Sequence, residues 1–371
     1  MNIAFFGNFY PDAVDGVSVV CYALAKALTE HGHQVYFYFN ADKSSTQIDV
    51  PSGIVRRGFH KKKLLPLSPE LANFLVRNPD KIAVFHIHSV FYPPNTAFAF
   101  ALSRLGYPYV LSPHGGYNDN IFKRHWFKKM FYYYFFEKRM VRQAKAIFCV
   151  AEREKEDLKR FDYQGIVRVV PNIITTSPSA VEATKILPDE DLPKTILFLG
   201  RYDMLHKGLD NLLHIFKHIE KIDKNIVLKL YGKGNDKAKL KKMVSSLRLH
   251  NVSIHDGIFG KEKEEVMRKA TAYIQPSRWE AFGMALFEAA MLGVPVIINK
   301  NLYMSDFFVQ HQLGLLIDDN FEESAKMIVD FIHNESLRKR ISQKIGHIVE
   351  ATFAPAHIAE LASEIYSQYV E

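Results

Sequence analysis

Pro276-Ser277-Arg278-Trp279-Glu280-Ala281-Phe282-Gly283-Met284-Ala285-Leu286-Phe287-Glu288-Ala289-Ala290, running on through Gly293 into Val294-Pro295-Val296-Ile297, is the stretch from which the fold is read. Short apolar runs precede it at Ala272 to Gln275 and close it at Val294 to Ile298, so the segment predicts strand, loop, helix, strand. Repeated, that unit builds a parallel sheet with helical crossovers. Glu280 falls in the loop and Glu288 about one and a half turns into the helix, so two carboxylates can face one crevice from different heights. The backbone N–H groups of Phe282, Gly283 and Met284 open the helix, lack intrahelical acceptors, and with the helix dipole suit a negatively charged ligand.

The alternation extends in both directions. Ile3 to Phe6 predicts a strand, and Val19, Val20, Ala23, Leu24, Ala27 and Leu28 mark a helix from Gly16 to His31. Gly32 stops it, and Gln34 to Phe39 begins the next strand. Further strands are expected at Ile82 to Ile87, Tyr109 to Leu111 and Ala146 to Val150. The pattern restarts with strands at Thr195 to Leu199, Val227 to Tyr231 and Val252 to His255, and helices at Leu209 to Glu220 and Lys261 to Lys269. Between the two runs, Ile173 to Leu192 is rich in Ser, Thr, Pro and acidic residues and reads as a linker. A chain of 371 residues exceeds what one core usually serves. The expected domains are therefore 1–172 and 193–352, with a last helix in 353–371 whose apolar positions are Ile358, Leu361, Ile365 and Tyr366.

With 48% hydrophobic and 24% charged residues the chain can fold without staples. Cys21 and Cys149 each sit in an apolar run, which predicts buried thiols in a reducing compartment, the cytoplasm. The first residues are too short an apolar run for a signal peptide, and no stretch approaches the roughly 18 apolar residues of a membrane span. Residues 1–172 carry 23 Lys and Arg against 14 Asp and Glu, leaving 25 against 26 for the remainder. That one-sided positive field favours an anionic partner. Within it, Phe122 to Ala146 interleaves Lys123, Arg124, Lys128, Lys129, Lys138, Arg139, Arg142 and Lys145 with the eight aromatic rings of Trp126, Phe127, Phe131, Tyr132, Tyr133, Tyr134, Phe135 and Phe136. The segment has the composition of a helix lying on an anionic membrane surface, on the inner face of the cytoplasmic membrane. The competing reading is a helix whose aromatic face packs into the core of the first domain. Lys61-Lys62-Lys63 reads as a solvated loop.

Three further motifs follow strand ends. Gly200-Arg201-Tyr202-Asp203-Met204-Leu205-His206-Lys207-Gly208-Leu209-Asp210 sets two cations on a tight loop, as a departing diphosphate requires: Arg offers a bidentate fork and Lys a point charge. His114-Gly115-Gly116 follows the strand Tyr109 to Leu111, and ligands of α/β sheets bind outside the carboxyl ends of their strands. Pro11-Asp12-Ala13-Val14-Asp15-Gly16-Val17-Ser18 opens the first helix, with Gly16 where backbone can approach a ligand closely.

In this order, and with the Pro171-Asn172 turn, these motifs resemble the retaining glycosyltransferases of the GT-B fold commonly called family 4. The resemblance spans essentially the whole chain. It implies an α/β chain of two Rossmann-like domains facing an interdomain cleft, the last helix crossing back to the N-terminal, acceptor-binding domain. By resemblance the C-terminal domain holds a UDP- or GDP-sugar as co-substrate: Arg201 and Lys207 bind the diphosphate, Glu288 the ribose, and Glu280 the sugar. Phe282, Gly283, Met284 and Gly16 complete the donor site, and His114 approaches the transferred sugar. The expected reaction moves a hexose or N-acetylhexosamine to a saccharide or lipid-linked acceptor, with no metal and no cofactor, in bacterial surface polysaccharide synthesis. Here Asp15 replaces the first of two usual glycines, Ala281 stands where Gly is usual, and Ile173-Ile174 where Gly-Val is common.

Other readings are weaker. Tyr231-Gly232-Lys233-Gly234 lacks the third glycine and the acidic partner of a nicotinamide fingerprint. His86 and His88 share a strand face, but no third metal ligand accompanies them in sequence. The positive charge fits a nucleic-acid binder, yet no aromatic RNA-binding motif is present, so no nucleic-acid partner is expected. A GT-B nucleotide-sugar epimerase or phosphorylase, a non-transferase sugar-nucleotide binder and an inert scaffold are the alternatives.

Overall fold

Apolar runs of strand length alternate with amphipathic helices twice along the chain, and the computed structural model shows two parallel sheets accordingly. It describes residues 1–7, 16–41, 53–60, 65–123, 126–174 and 193–369. The first unit comprises Met1–Ile173 with Phe353–Glu371, and the second Ile174–Thr352.

The first sheet contains β1 (Asn2–Phe6), β2 (Gln34–Ala41), β3 (Ile54–His60), β4 (Val84–His88), β5 (Tyr109–Ser112), β6 (Ala146–Cys149) and β7 (Ile166–Val169), in the order β3-β2-β1-β4-β5-β6-β7. The second contains β8 (Lys194–Leu199), β9 (Ile226–Tyr231), β10 (Val252–His255), β11 (Ala272–Gln275), β12 (Val296–Asn299) and β13 (Gly314–Ile317), in the order β10-β9-β8-β11-β12-β13. Every pairing is parallel; Ile3 lies opposite Val84 in the first sheet and Ala272 opposite Ile196 in the second. Both units thus have the doubly wound, Rossmann-like order in which winding reverses beside the first strand, at β1/β4 and at β8/β11. Loops leaving the carboxyl ends of those neighbours diverge to opposite faces and open a crevice between them.

Helices on both faces explain why the central strands are apolar along their length rather than alternating. Ile3 to Phe6, Ile196 to Phe198 and Val296 to Ile298 are all essentially buried. Three strands escaped the sequence reading: β3, β7 and β13. Two lie at sheet edges in the first unit, and both carry arginines in their runs, Ile-Val-Arg-Arg and Ile-Val-Arg-Val; the third is four residues long at the edge of the second. In β3 the interruption has a tertiary solution, because Arg57 donates two hydrogen bonds to Asp80, at 2.6 and 2.5 Å, and Tyr38 donates a third to the same carboxylate at 2.8 Å.

The last helix, Pro355–Ser367, belongs to the first unit and packs on the helix Gly16–Glu30. It buries Ile358, Ala359, Ala362, Ile365 and Tyr366, while Leu361 is half-buried at the edge of that face. Within the segment 122–146, Phe122 and Tyr133 join the core while Trp126, Phe127, Phe131, Tyr134 and Phe135 stay exposed, so each reading of it describes one face. No described helix is long and apolar enough to cross a membrane. Cys21 and Cys149 are buried thiols. The linker reading from residue 175 onward, Lys61-Lys62-Lys63 and Asp15 fall outside the described residues.

Candidate active site

In the second unit, the two loops that flank the β8/β11 reversal carry Arg201 to Gly208 and Pro276 to Gly283, and they are fastened to one another. The Arg278 N–H donates to His206 O at 3.0 Å. The Arg278 guanidinium grips both oxygens of Asp210 at 2.8 Å and also reaches Asn211 Oδ1 at 2.7 Å and Leu205 O at 2.9 Å. Gly208 is held in the left-handed region at φ 61°, and a Cβ there would stand 2.2 Å from the carbonyl oxygen of Pro276. The Trp279 and His206 rings stack at 4.8 Å. None of these contacts was read from sequence, although Arg278 and Asp210 both stood inside the motifs.

That fastening delivers Lys207 Nζ directly to Glu280 Oε2 as a hydrogen-bonded ion pair. Glu280 also accepts from Gln275 Nε2 at 3.3 Å and from Ser277 Oγ at 3.4 Å. Burial works against its ionisation, but Lys207, His206 and the hydrogen bonds outweigh it and hold the carboxyl below the usual range. It is a carboxylate at neutral pH. Glu288, in the helix Met284–Met291, pairs with Lys263 at 2.8 Å on a half-exposed surface. Behind both lies Tyr273, its hydroxyl directed at Leu199 O (3.1 Å) and Gln275 Oε1 (2.9 Å). Burial, then the charges of Glu280 and Glu288, push that phenol well above its ordinary range. Both glutamates are thus felt at that hydroxyl.

Arg201 is exposed, and its guanidinium has no hydrogen-bond or ion-pair partner among the described residues. Its charge is nevertheless felt at His206, whose pKa is lowered first by burial and then by Lys207 and Arg201. Phe282 offers only its backbone to this surface, since its ring is buried and stacked on Phe287 at 4.4 Å. Gly283 precedes the helix at φ 85°, and Met284 begins it. Gly232 of the Gly-Lys-Gly run serves the fold: a Cβ on it would lie 1.9 Å from Gly200 O, so its smallness lets the β9 loop touch the β8 loop.

His114 and Gly16 belong to the first unit. His114 takes a left-handed backbone at φ 52°, and Glu154 secures the turn by accepting from Gly115 N at 2.5 Å and Val150 N at 2.6 Å. Burial depresses the His114 pKa to about 4, so the ring is neutral at physiological pH. Its Nε2 lies 3.1 Å from His88 Nδ1. Folding brings donors from elsewhere in the chain to His88: one donor atom each from Cys21, His88 and His114 lie within 4.8 Å of one another, and His86 is not among them. Cys21 comes from a helix and His114 from a loop, far apart in sequence, so spacing could not reveal the set. His86 is instead tied to Ser112 Oγ at 2.7 Å and Tyr366 OH at 2.6 Å. Cys21, His88, Ser112, His114 and Asn172 border a small, partly open cavity of about 20 Å³, room for one water. Gly16 is exposed, with nothing within 4 Å of a would-be Cβ, so no described part of the chain requires glycine there.

Residues 182–346 match the family model for glycosyl transferases group 1, and residues 14–177 that for glycosyltransferase family 4. An uncharacterized 41.2 kDa protein in the cps region of Klebsiella pneumoniae is 27% identical over 262 residues, 67% of this chain and 68% of that protein. Among solved structures, Anabaena Alr3699/HepE in complex with UDP-glucose is similar with a TM-score of 0.75 at 17% identity, over 99% of this chain and 100% of the other. WaaG, a glycosyltransferase involved in lipopolysaccharide biosynthesis, is similar with a TM-score of 0.66 at 17% identity, over 98% and 99%. The chain belongs to the group 1, family 4 glycosyltransferases and has their GT-B fold of two Rossmann-like domains.

Proposed function

We propose that the protein is a retaining glycosyltransferase that takes a hexose or N-acetylhexosamine from a UDP- or GDP-sugar and places it on a saccharide or lipid-linked acceptor in bacterial surface polysaccharide synthesis. The observation that carries this reading is the joining of Lys207 to an ionised Glu280 where the loops leave β8 and β11. A cation and a carboxylate held together at a winding reversal suit a ligand that is both anionic and polyhydroxylated. UDP-glucose in the Anabaena structure and the lipopolysaccharide role of WaaG support the donor and acceptor classes.

In the proposed step the bond from the anomeric carbon to the diphosphate oxygen breaks, and its electron pair leaves with the diphosphate. The acceptor hydroxyl oxygen bonds to the same face of that carbon, and its proton passes to the departing phosphate. Arg201 and Lys207 neutralise the negative charge that grows on the leaving group, the term that usually contributes most to such catalysis. Glu280 accepts a hydrogen bond from the sugar and Glu288 from the ribose, with the backbone of Phe282, Gly283 and Met284 completing the donor site. Gly16 admits the diphosphate close to the backbone, and the neutral imidazole of His114 hydrogen-bonds the transferred sugar. The charges of Arg201 and Lys207 take the part a divalent metal plays elsewhere, so neither metal nor cofactor is required.

Thermal-shift measurements against UDP, GDP and their sugars, followed by NMR of the product, test this. The expected result is stabilisation by one nucleotide class and release of nucleoside diphosphate only with acceptor present. Anomeric configuration should be retained and turnover unchanged by a chelator. Release that ignores the acceptor, or recovery of an epimerised donor, would overturn the reading.

A further inference from the structure

The stretch from Trp126 to Lys145 has two sides, and the fold uses one of them. On the inner side, Tyr133, Met140 and Val141 are buried in the core of the first unit. Glu137 is fully buried with them, accepting hydrogen bonds from Phe91 N and from Tyr117 OH, both at 2.7 Å. On the outer side, Trp126, Phe127, Phe131, Tyr134 and Phe135 are between 60% and 73% exposed. A π-helical turn over Tyr133–Glu137 joins the helices Trp126–Tyr132 and Lys138–Gln143, and Phe131 and Phe135 meet across it at 4.6 Å. Scattered apolar residues on a surface need no explanation; five large rings on one side of one helical segment mark an interaction face.

The charges say what covers it. Glu137 is the one acid between residues 122 and 146, and it points inward, so every exposed charge of the segment among the described residues is a cation. Arg142 and Lys138 share Asp162, at 2.9 and 3.5 Å, but Lys128, Arg139 and Lys145 are exposed without an acid partner among the described residues. In a two-fold pairing with a second copy this patch would face itself, and those cations would confront their own images. An anionic surface with an apolar interior meets both requirements at once.

We propose that this face docks on an anionic lipid bilayer, the rings at the level where headgroups give way to acyl chains and the cations over the headgroup phosphates. The proposal rests on burial and charge alone and stands whether or not the transferase reading holds. Through Glu137 and Tyr117, the docking segment is hydrogen-bonded to the loop that follows His114, so a bound surface would lie against the support of that loop.

The test uses the full chain with vesicles of phosphatidylcholine alone and of phosphatidylcholine doped with phosphatidylglycerol. Flotation should show binding to the doped vesicles that falls with salt, and little to the neutral ones. Replacing Lys128 and Arg139 by Gln should weaken partitioning about fivefold each. Replacing Phe127, Phe131 and Phe135 together by Ser should weaken it at least about tenfold, with the thermal transition retained because those rings are exposed. The chain has two tryptophans, so in a Trp279→Phe background Trp126 alone reports. Its emission should shift to the blue on the doped vesicles and be quenched by brominated acyl chains, a readout that needs none of the serine variants to fold. An unshifted, unquenched Trp126, equal binding to neutral vesicles, or a dimer abolished by the serine changes without vesicle binding would each overturn the proposal.

Discussion

Lys207 and Glu280 sit 73 residues apart in sequence and share one hydrogen bond. Each is part of the other's environment: the cation keeps the carboxylate ionised despite its burial, and the carboxylate sets where the ammonium stands. Residues coupled in this way lose function together. Lys207→Ala or Glu280→Ala is expected to lower turnover at least about a hundredfold, the order of removing one transition-state donor. The double variant should lose much less than the product of the two, because the second change removes a group already misplaced. Steady-state kinetics of the four forms check this, and strictly multiplicative losses would show that the pair does not act as a unit. The identities of Arg201, Lys207, Glu280 and Glu288 were legible in the sequence because each stands in a short run with its own loop or helix context. Their supports were not. Tyr273, Lys263 and the His206–Trp279 stack reach these groups across strands and helices, and no local spacing encodes such contacts.

The loops that carry the candidate site are positioned by element packing. Gly208 ends one of them and opens the helix Leu209–Ile222 at a point where the chain passes under Pro276. Gly208→Ala is expected to cost about 1–3 kcal/mol, from a side chain in left-handed backbone and a clash with a carbonyl that strand β11 holds in place. The same shift should displace Lys207, so activity falls further than the loss of stability explains. Denaturant unfolding alongside kinetics tests this; a stable variant of normal activity would contradict the close approach. At this scale the sequence reading succeeded for buried strands and long helices, where a continuous apolar run or a helical period is strong. It missed β3 and β7 because edge strands need not be apolar throughout, and β13 because a run of four residues is too short to stand out. Arg56 and Arg57 in β3, and Arg168 in β7, dilute a signal already short.

At the scale of the whole molecule, burial pushes the carboxyls of Glu137 and Glu154 in the first unit each up to about 7. A carboxyl whose pKa is raised on folding holds its proton more tightly folded than unfolded. Its stabilisation is therefore complete below the unfolded value near 4.5 and is lost as pH rises through about 7. Glu137→Gln removes one such group while keeping an acceptor for Phe91 N. Relative to the parent chain, the variant should gain roughly 1–3 kcal/mol between about pH 5 and pH 8. Denaturant titrations at the two pH values measure it, and a parent-to-variant difference that does not change with pH would remove the buried-acid account. From the order of its amino acids alone, this protein's two α/β units, its family and the motifs that carry the candidate site could be read, because periodicity and short motifs are local properties. Tertiary structure alone decided that Lys207 meets Glu280, that Cys21, His88 and His114 converge, and which of the 122–146 aromatics are buried. Those outcomes depend on which distant side chains fill the space beside each group, and that is settled only when the sheets and helices close around it.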